Sequence, residues 1–225
     1  MGFLAGFLGY YSDSLHFGSL VYGGSSRKLH ALAVIESHSR MLYVAFTHSQ
    51  KQETLHRCLV DSFRFFGGTP KEIVVDNMLT AVTERAGTMI RFNGAFLDFL
   101  RPFGINPVAC NIRSPHEKGK IENSIKYLRN NFWPLKKFTD FEDVNHKVMA
   151  WLNTTANQRQ HQTTGEKPVH RLTRDALRPL PEPLPDFRET ETLKVYKDFG
   201  IRFDSESHSR IAGGLMKPPL RGHLR

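Results

Sequence analysis

Two acidic residues stand where metal-dependent phosphodiester chemistry would need them. Glu122 lies in a basic amphipathic stretch, Ser114–Phe132, and Asp76 directly follows the short apolar run Ile73–Val75. Carboxylates are hard oxygen ligands for divalent ions, and lysine and arginine side chains attract phosphate. Two divalent ions can clamp the attacking and leaving oxygens of a phosphodiester displacement. The two segments together therefore suggest cleavage or transfer of nucleic acid strands.

A site of this kind usually needs three acids on different elements, so a third is expected from an early strand. Asp13, in Tyr11–Gly18, is the leading candidate, and Glu36, at the end of the next predicted strand, is the reserve. The acids with their metal ions would form one cluster beside a basic surface.

Each acid also has an ordinary structural explanation. Glu122 has Lys118 and Lys126 one helical turn to either side, which is typical of an exposed ladder of ion pairs. Asp76 is followed by Asn77, and both types are common in turns because their side chains bond nearby backbone groups. Asp13 lies between two serines, a pattern that suits a turn or a helix cap equally well.

Bulk composition favours a globular protein with an anionic partner. The chain has 225 residues and a net charge of +9, which fits one sizeable core, an appendage and nucleic acid as the first partner to consider. Cys58 and Cys110 lie far apart, so neither a disulfide framework nor a structural zinc site is expected, and a reducing cytoplasm fits best. The apolar run Met1–Gly9 is too short to span a bilayer, and no membrane association is predicted.

The elements that must position these residues alternate between strands and helices. Extended or β-rich runs predict strands over 15–22, 28–36, 41–47, 72–75 and 105–110, the second and third of them as a hairpin. Apolar residues at helical spacing predict helices over 52–66, 93–103, 116–132 and 141–160. Residues 80–91 lack periodicity and are expected to form a loop. This order indicates an α/β fold, a mixed sheet with helices packed on it.

The segment after the last helix is rich in proline. Arg178–Pro185 alternates proline with other residues, which predicts an extended linker. Residues 192–204 show strand-like alternation, but too few residues follow to build an independent domain.

Ordered along the chain, several short segments resemble the DDE transposase/integrase superfamily. The closest likeness is to bacterial insertion-sequence transposases that act with an AAA+ helper ATPase. The segments that carry the resemblance are His16–Gly18, Gly23–Gly24, Arg27–Leu29, Ser39–Val44, Phe65–Pro70, Val75–Met78, Phe96–Phe99, Lys118–Glu122, Asn130–Trp133 and Thr163–Pro168.

The resemblance implies a ribonuclease-H-like mixed five-stranded sheet flanked by helices. It implies a divergent leader over residues 1–11, a catalytic core over 12–172, a proline-rich linker over 173–187 and a truncated remnant of a C-terminal β-barrel over 188–225. Because neither a helix-turn-helix region nor a complete barrel is recognisable, we expect a truncated or frameshifted copy of a mobile element.

The resemblance also implies roles for particular residues. Asp76 matches the second catalytic Asp of the family and Glu122 its Glu, while Asp13 falls at the first position but lacks the usual hydrophobic-Asp-Trp-Gly flank. These three would hold two Mg²⁺ ions, with Mn²⁺ able to substitute. The residues expected to contact the DNA backbone are Arg113, Lys118, Lys120, Lys126 and Arg129.

The implied partners are DNA, as transposon ends and target, further copies of the chain assembled on DNA, and the AAA+ helper. The implied location is the bacterial cytoplasm, associated with DNA. Because the first acid lacks its usual flank, activity of this chain stays open. The alternatives are an inactive DNA-binding remnant, a stand-alone nuclease of the same fold such as a ribonuclease H or junction resolvase, and a basic structural protein.

Overall fold

A computed structural model divides the chain into two compact units, Met1–Phe187 and Arg188–Arg225. It describes residues 2–8, 18–22, 25–75, 82–86, 89–109, 115–134, 136–185, 201–203 and 206–208.

Strands and helices alternate through the first unit. Its strands are β1 (Gly2–Leu8), β2 (Gly18–Tyr22), β3 (Ser25–Glu36), β4 (Leu42–Thr47), β5 (Glu72–Val75), β6 (Val82–Ala86), β7 (Met89–Phe92) and β8 (Asn106–Ala109). Its α-helices are α1 (Gln52–Phe66), α2 (Gly94–Leu100), α3 (Pro115–Asn131), α4 (Phe141–Trp151) and α5 (Pro168–Arg171). A π-helical stretch, Leu152–Ala156, continues α4, and short 3₁₀ turns cover Arg101–Phe103 and Arg174–Ala176.

The predicted mixed five-stranded sheet is confirmed, with the strand order β4-β3-β1-β5-β8. Strand β3 runs antiparallel to both of its neighbours, β4 and β1. Strands β1, β5 and β8 run parallel to one another. A further strand, β2, pairs with the first part of β3. Pro107 lies in β8, which has β5 as its partner and is therefore an edge strand, as expected for a residue without a backbone N–H.

Residues 2–8 lie at the centre of the sheet, although the sequence predicts a leader over 1–11. Phe3 of β1 pairs with Glu36 of β3 on one side and Ile73 of β5 on the other. Its ring is fully buried and lies 4.4 Å from the Phe66 ring, centroid to centroid. The resemblance implies a leader here, whereas pairing with a strand on either side makes this segment a central strand.

Helices cover both faces of the sheet and form two apolar layers. On one face, α1 and α2 pack against side chains that include Phe3, Val34 and Ile73. On the other face, α3 and α4 pack against side chains that include Ile35, Val44 and Val74. Because Val74 belongs to this second layer and its neighbours Ile73 and Val75 to the first, the alternation of β5 assigns each residue to a face.

Two asparagines cover the outer edge of β4, a strand whose one sheet partner among the described strands is β3. Asn157 accepts from the Leu42 N–H and donates to the Leu42 carbonyl, both at 2.8 Å. Asn145 does the same for Phe46, at 2.8 and 3.2 Å. The amide side chains thus satisfy edge groups that a neighbouring strand would otherwise bond.

Residues 82–86 and 89–92 are not the loop that the sequence predicts over 80–91. They form two antiparallel strands in which Ala86 pairs with Met89, and Gly87 and Thr88 lie between these strands in the sequence. A two-residue connection that contains glycine favours a hairpin. The Gly87–Thr88 pair was therefore a better guide to this segment than its lack of a regular apolar pattern.

The predicted linker is attached to the core as far as Leu184. Thr69 and Arg178 exchange backbone hydrogen bonds of 2.7 and 2.9 Å, and the Arg178 guanidinium donates to the carbonyls of Pro70 and Gly104. Leu177 is buried, and Leu184 packs against the first apolar layer. These contacts make residues 172–184 a strap along the core.

In the second unit, β9 (Ile201–Phe203) and β10 (Glu206–His208) pair antiparallel. Within the described parts of the whole chain, none of the helices has the length and apolar composition needed to cross a bilayer.

Candidate active site and nucleic-acid interface

Helix α3 carries Glu122 at the border between core and solvent. Its first residue is Pro115, a type that suits the first helical position. Ile121, Leu128 and Phe132 are buried against the sheet. Glu122 is exposed, about 100° around the helix from Ile121, and Lys126 is exposed one turn later. The carboxylate is therefore accessible to a ligand from solvent.

The face that α3 covers is also the face toward which Val74 of β5 points. Asp76 follows two residues later but lies outside the described residues, as does Asp13. Within the described ranges, no three His, Cys, Asp or Glu side chains form a group that could hold a metal ion. The structure thus describes one of the three predicted acids, Glu122.

The reserve acid Glu36 has a structural role. It is fully buried, and its carboxylate accepts from the backbone N–H groups of His38 and Ser39 at 2.9 and 2.5 Å. It lies beside Phe3 and Ile73, on the sheet face opposite Val74 and at the end of β5 where that strand begins. Glu36 therefore does not face α3 and closes the β3–β4 turn instead.

The central strand β1 offers no alternative acid, since Gly2–Leu8 contains neither Asp nor Glu. By register, Ala5 is the β1 partner of Val75. Any first acid must therefore come from outside β1, and Asp13 lies five residues beyond its end.

A basic groove of about 870 Å³ runs along α3. It lies beside the side of the helix that carries Glu122 and Arg129, which we call the Glu122 flank. We call the groove itself the α3 groove; it is bounded by α3 residues from 119 to 131, by residues 159–163, and by Ile35 and Arg40. Its basic side chains are Arg40, Lys120, Lys126, Arg159 and His161. None of the described residues that line it is acidic.

An arginine–tyrosine stack forms part of the groove wall. The Arg159 guanidinium carbon lies 3.3 Å from the centroid of the Tyr127 ring, and Tyr127 stacks in turn on Trp151 at 5.3 Å. A cation over an aromatic face is attracted by the ring quadrupole, so the stack fixes the guanidinium in place.

Positive charge is concentrated around His161. Burial and then the charges of Arg159, Arg40 and Arg171 lower the pKa of His161. Burial also lowers the pKa of Arg40, and the neighbouring Glu36 carboxylate acts in the opposite direction. Neighbouring positive charges thus disfavour the protonated form of His161, in the same direction as burial.

The structure brings together only part of the predicted DNA-binding set. Lys120 and Lys126 line the α3 groove, whereas Arg129 lies on the flank of Glu122, about 20° from it around the helix. The side chain of Lys118 and the whole of Arg113 lie outside what the structure describes.

Three groove residues, Arg40, Arg159 and His161, are absent from the sequence prediction. The usable signal was the run Gln158–Gln162 near the end of the predicted helix 141–160, which combines amides with two basic residues and has no acid. Nothing in the sequence indicates that this run approaches Arg40.

Comparison with known proteins gives the same fold and points to a family. The catalytic core domain of BIV integrase superposes with a TM-score of 0.50 at 12% identity, covering 75% of this chain and 92% of that one. A putative transposase for insertion sequence element IS5376 from Geobacillus stearothermophilus is 33% identical over 213 residues, which cover 92% of this chain and 53% of the relative. The transposase for insertion sequence element IS21 from Pseudomonas aeruginosa is 34% identical over 147 residues, or 64% of this chain and 38% of the relative.

Residues 10–115 match the family described as Integrase core domain. This match and the insertion-sequence relatives support the transposase/integrase superfamily. The chain spans about half the length of the first of these relatives and less of the second. The fold of the integrase core is thus established, and its chemistry has to be argued from the site.

Proposed function

We propose that this integrase core cleaves DNA and joins DNA strands by metal-assisted attack on a phosphodiester, with Asp13, Asp76 and Glu122 as the metal ligands. The observation that carries the proposal is the packing of α3, the helix of Glu122, on the sheet face to which Val74 points. Continued alternation along β5 by two residues would direct Asp76 toward the same face.

The donor chemistry fits Mg²⁺, with Mn²⁺ as a substitute. The Glu122 carboxylate is exposed, and all three proposed ligands are carboxylates, whose oxygens are the donors that a hard cation prefers. Bound divalent ions, two in this proposal, would polarise the scissile phosphate and favour ionisation of the attacking water or 3′ hydroxyl. No residue of the chain needs to form a covalent bond to DNA.

The remaining residues of α3 would hold the DNA rather than react with it. Lys126 and Arg129 lie about one and two turns after Glu122, where they can contact phosphates next to the scissile bond. Lys118 and Arg113 are proposed to extend this contact toward the start of the helix. Such contacts supply affinity that falls with salt, and they carry little sequence information.

The proposed partners come from the resemblance to transposases and not from contacts in the structure. The proposed substrates are the ends of a mobile element and a target DNA, bound by several copies of the chain. An AAA+ helper ATPase is proposed from the resemblance to insertion-sequence transposases.

The test compares acid variants with matched exposed acids. Asp76→Asn and Glu122→Gln should each abolish Mg²⁺-dependent nicking and strand transfer on a DNA duplex, because each loses an anionic metal ligand. Asp98→Asn, at an exposed acid on α2, and Glu142→Gln, at an exposed acid on α4, should leave the reaction unchanged. Wild-type activity in either proposed ligand variant would reject the assignment of that residue.

A second candidate is a DNA-binding core without catalysis, and the acid-free β1 favours it. This candidate predicts that Mg²⁺ neither raises the unfolding temperature nor supports nicking, while DNA binding persists in EDTA. Metal-dependent stabilisation that disappears in Glu122→Gln and in Asp13→Asn would decide for the enzyme.

A further inference from the structure

Two arginines of the α3 groove each have one nitrogen without a hydrogen-bond acceptor. Arg40 Nη1 and Arg159 Nε are both inaccessible to solvent, and neither has a hydrogen-bond partner. Arginine presents five donors in a fixed planar fork, so these side chains carry more donors than the protein itself satisfies.

The backbone at Arg40 aims that side chain at the groove. Arg40 has φ = 66°, in the left-handed region that residues with a side chain seldom adopt. The turn is held by Glu36, which accepts from His38 and Ser39, and by the Arg40 N–H, which donates to the Glu36 carbonyl at 2.9 Å. An uncommon conformation kept in place by a buried network is frequent at binding sites.

The opposite wall is set by an irregularity in the helix. The π-helical stretch Leu152–Ala156 is followed by Asn157, whose amide is anchored to Leu42, and then by Arg159 over the Tyr127 ring. Single turns of π-helix often mark functional sites. Both arginines are therefore fixed by separate elements before any ligand arrives.

We propose that the α3 groove binds the sugar–phosphate backbone of DNA, as a second contact surface beside the Glu122 flank. Phosphate oxygens would accept from donors of Arg40, Arg159 and Lys120 that line the groove, and their negative charge would neutralise the clustered positive charge. The proposal depends on the proposed function only for the choice of DNA as the polyanion.

The polar residues of the groove favour nucleic acid over an acidic peptide. Amide side chains, among them Asn123 and Asn130 of α3 and Gln160, alternate with the basic ones. Asn and Gln can donate to phosphate and sugar oxygens and also accept from bases, and arginine stacked on tyrosine offers a planar surface to a base. An acidic peptide would use the positive charges but not this mixture.

The test measures binding of the full chain to a labelled DNA duplex in EDTA, so that no cleavage occurs. Arg40→Gln and Arg159→Gln each remove one proposed phosphate contact. Each should lower the slope of log affinity against log salt by about 0.9, which means a roughly 3.5-fold smaller loss of affinity between about 50 and 200 mM salt. The double variant should lower the slope by about twice as much.

Matched controls remove the same charge elsewhere. Arg64→Gln and Arg101→Gln alter exposed arginines near the opposite layer of helices, and both should keep the wild-type slope. The proposal would be overturned if the groove variants bound DNA with the wild-type slope. It would also be overturned if the control variants lowered the slope as much as the groove variants do. Equal competition by polyglutamate at equal charge would also overturn it, in favour of an acidic peptide.

Two further readings separate this proposal from the proposed function. Arg40→Lys keeps the charge but loses the fork, so it should recover most of the slope if the variant folds with the wild-type unfolding temperature. Glu122→Gln should keep the full slope while losing cleavage. A lower salt dependence of binding in the groove variants alone would support the α3 groove as a DNA-binding surface, whether or not the acids are catalytic.

Discussion

The imidazole of His56 lies flat against the ring of Phe99, with the two centroids 4.1 Å apart and the ring planes 4° from parallel. This stack joins α1 to α2 within the first apolar layer. His56 is only 4% exposed, and its Nε2 is buried without a hydrogen-bond partner, so the neutral ring is the form that fits.

His56 should therefore make the fold sensitive to mild acid. Burial lowers the pKa of His56 from 6.5 to about 4, so between these values the unfolded chain binds a proton that the folded chain does not. The contribution of His56 to the free energy of unfolding is fully present above pH 6.5. It falls as the pH drops toward 4, by up to about 3 kcal/mol. His56→Phe, which keeps the stack, should remove this part of the pH dependence in urea unfolding. The exposed His146→Phe serves as the control, and equal pH profiles for both variants would contradict the assignment.

Asn157→Ala should destabilise the core strongly. The substitution removes two hydrogen bonds and leaves the N–H and carbonyl of Leu42 buried and unsatisfied, which costs about 2–4 kcal/mol. Asn153→Ala, at an exposed position in the same π-helical stretch, should change the free energy of unfolding by less than about 0.5 kcal/mol. Similar unfolding midpoints for the two variants would show that the side-chain contact with β4 is dispensable.

Glu36→Gln should weaken the fold without altering metal dependence. The amide would replace one of the two accepting oxygens with an N–H donor, facing the backbone N–H of His38 or Ser39. The expected loss is about 1–3 kcal/mol, and Glu72→Gln at an exposed β5 position is the control. If Glu36→Gln kept full stability but abolished Mg²⁺-dependent cleavage, the third acid would be Glu36 and not Asp13.

Two glycines should respond in opposite directions to alanine. A Cβ at Gly68 would lie 2.7 Å from the Arg178 carbonyl and 2.8 Å from the Leu177 Cβ, so Gly68→Ala should push the strap away and cost about 1–3 kcal/mol. A Cβ at Gly119 meets nothing within 4 Å, and Gly119→Ala should stabilise α3 by about 0.5–1 kcal/mol. Thermal unfolding measures both, and a neutral Gly68→Ala would mean that the strap is not held closely.

Local signals in the sequence were enough for the elements that bear on the chemistry. Helix α1 has the predicted bounds because its apolar spacing ends at Gly67, which adopts φ = 86° and donates to the carbonyls of Phe63 and Arg64. The strand Glu72–Val75 follows from a short apolar run, and the buried face of α3 follows from its 3.6-residue period; both signals lie within a single segment.

Features that depend on distant residues could not be predicted in this way. The place of residues 2–8 depends on pairing with both β3 and β5, which neither their composition nor the resemblance indicated. The α3 groove needs Arg40 and Arg159 to converge on Tyr127, and no period links residues so far apart along the chain. Glu36 looked available because a strand end is often exposed, whereas its hydrogen bonds arise from the turn that follows.

The covered edge of β4 limits how copies of this chain can meet. With Asn145 and Asn157 occupying the outward backbone groups of Phe46 and Leu42, another chain cannot continue the hydrogen-bonded ladder there without displacing both amides. Oligomers that form by edge-to-edge pairing of sheets are therefore disfavoured at the β4 edge. If several copies gather on paired DNA ends, contacts through helix surfaces would leave the β4 edge intact, so that the assembly could come apart without unfolding.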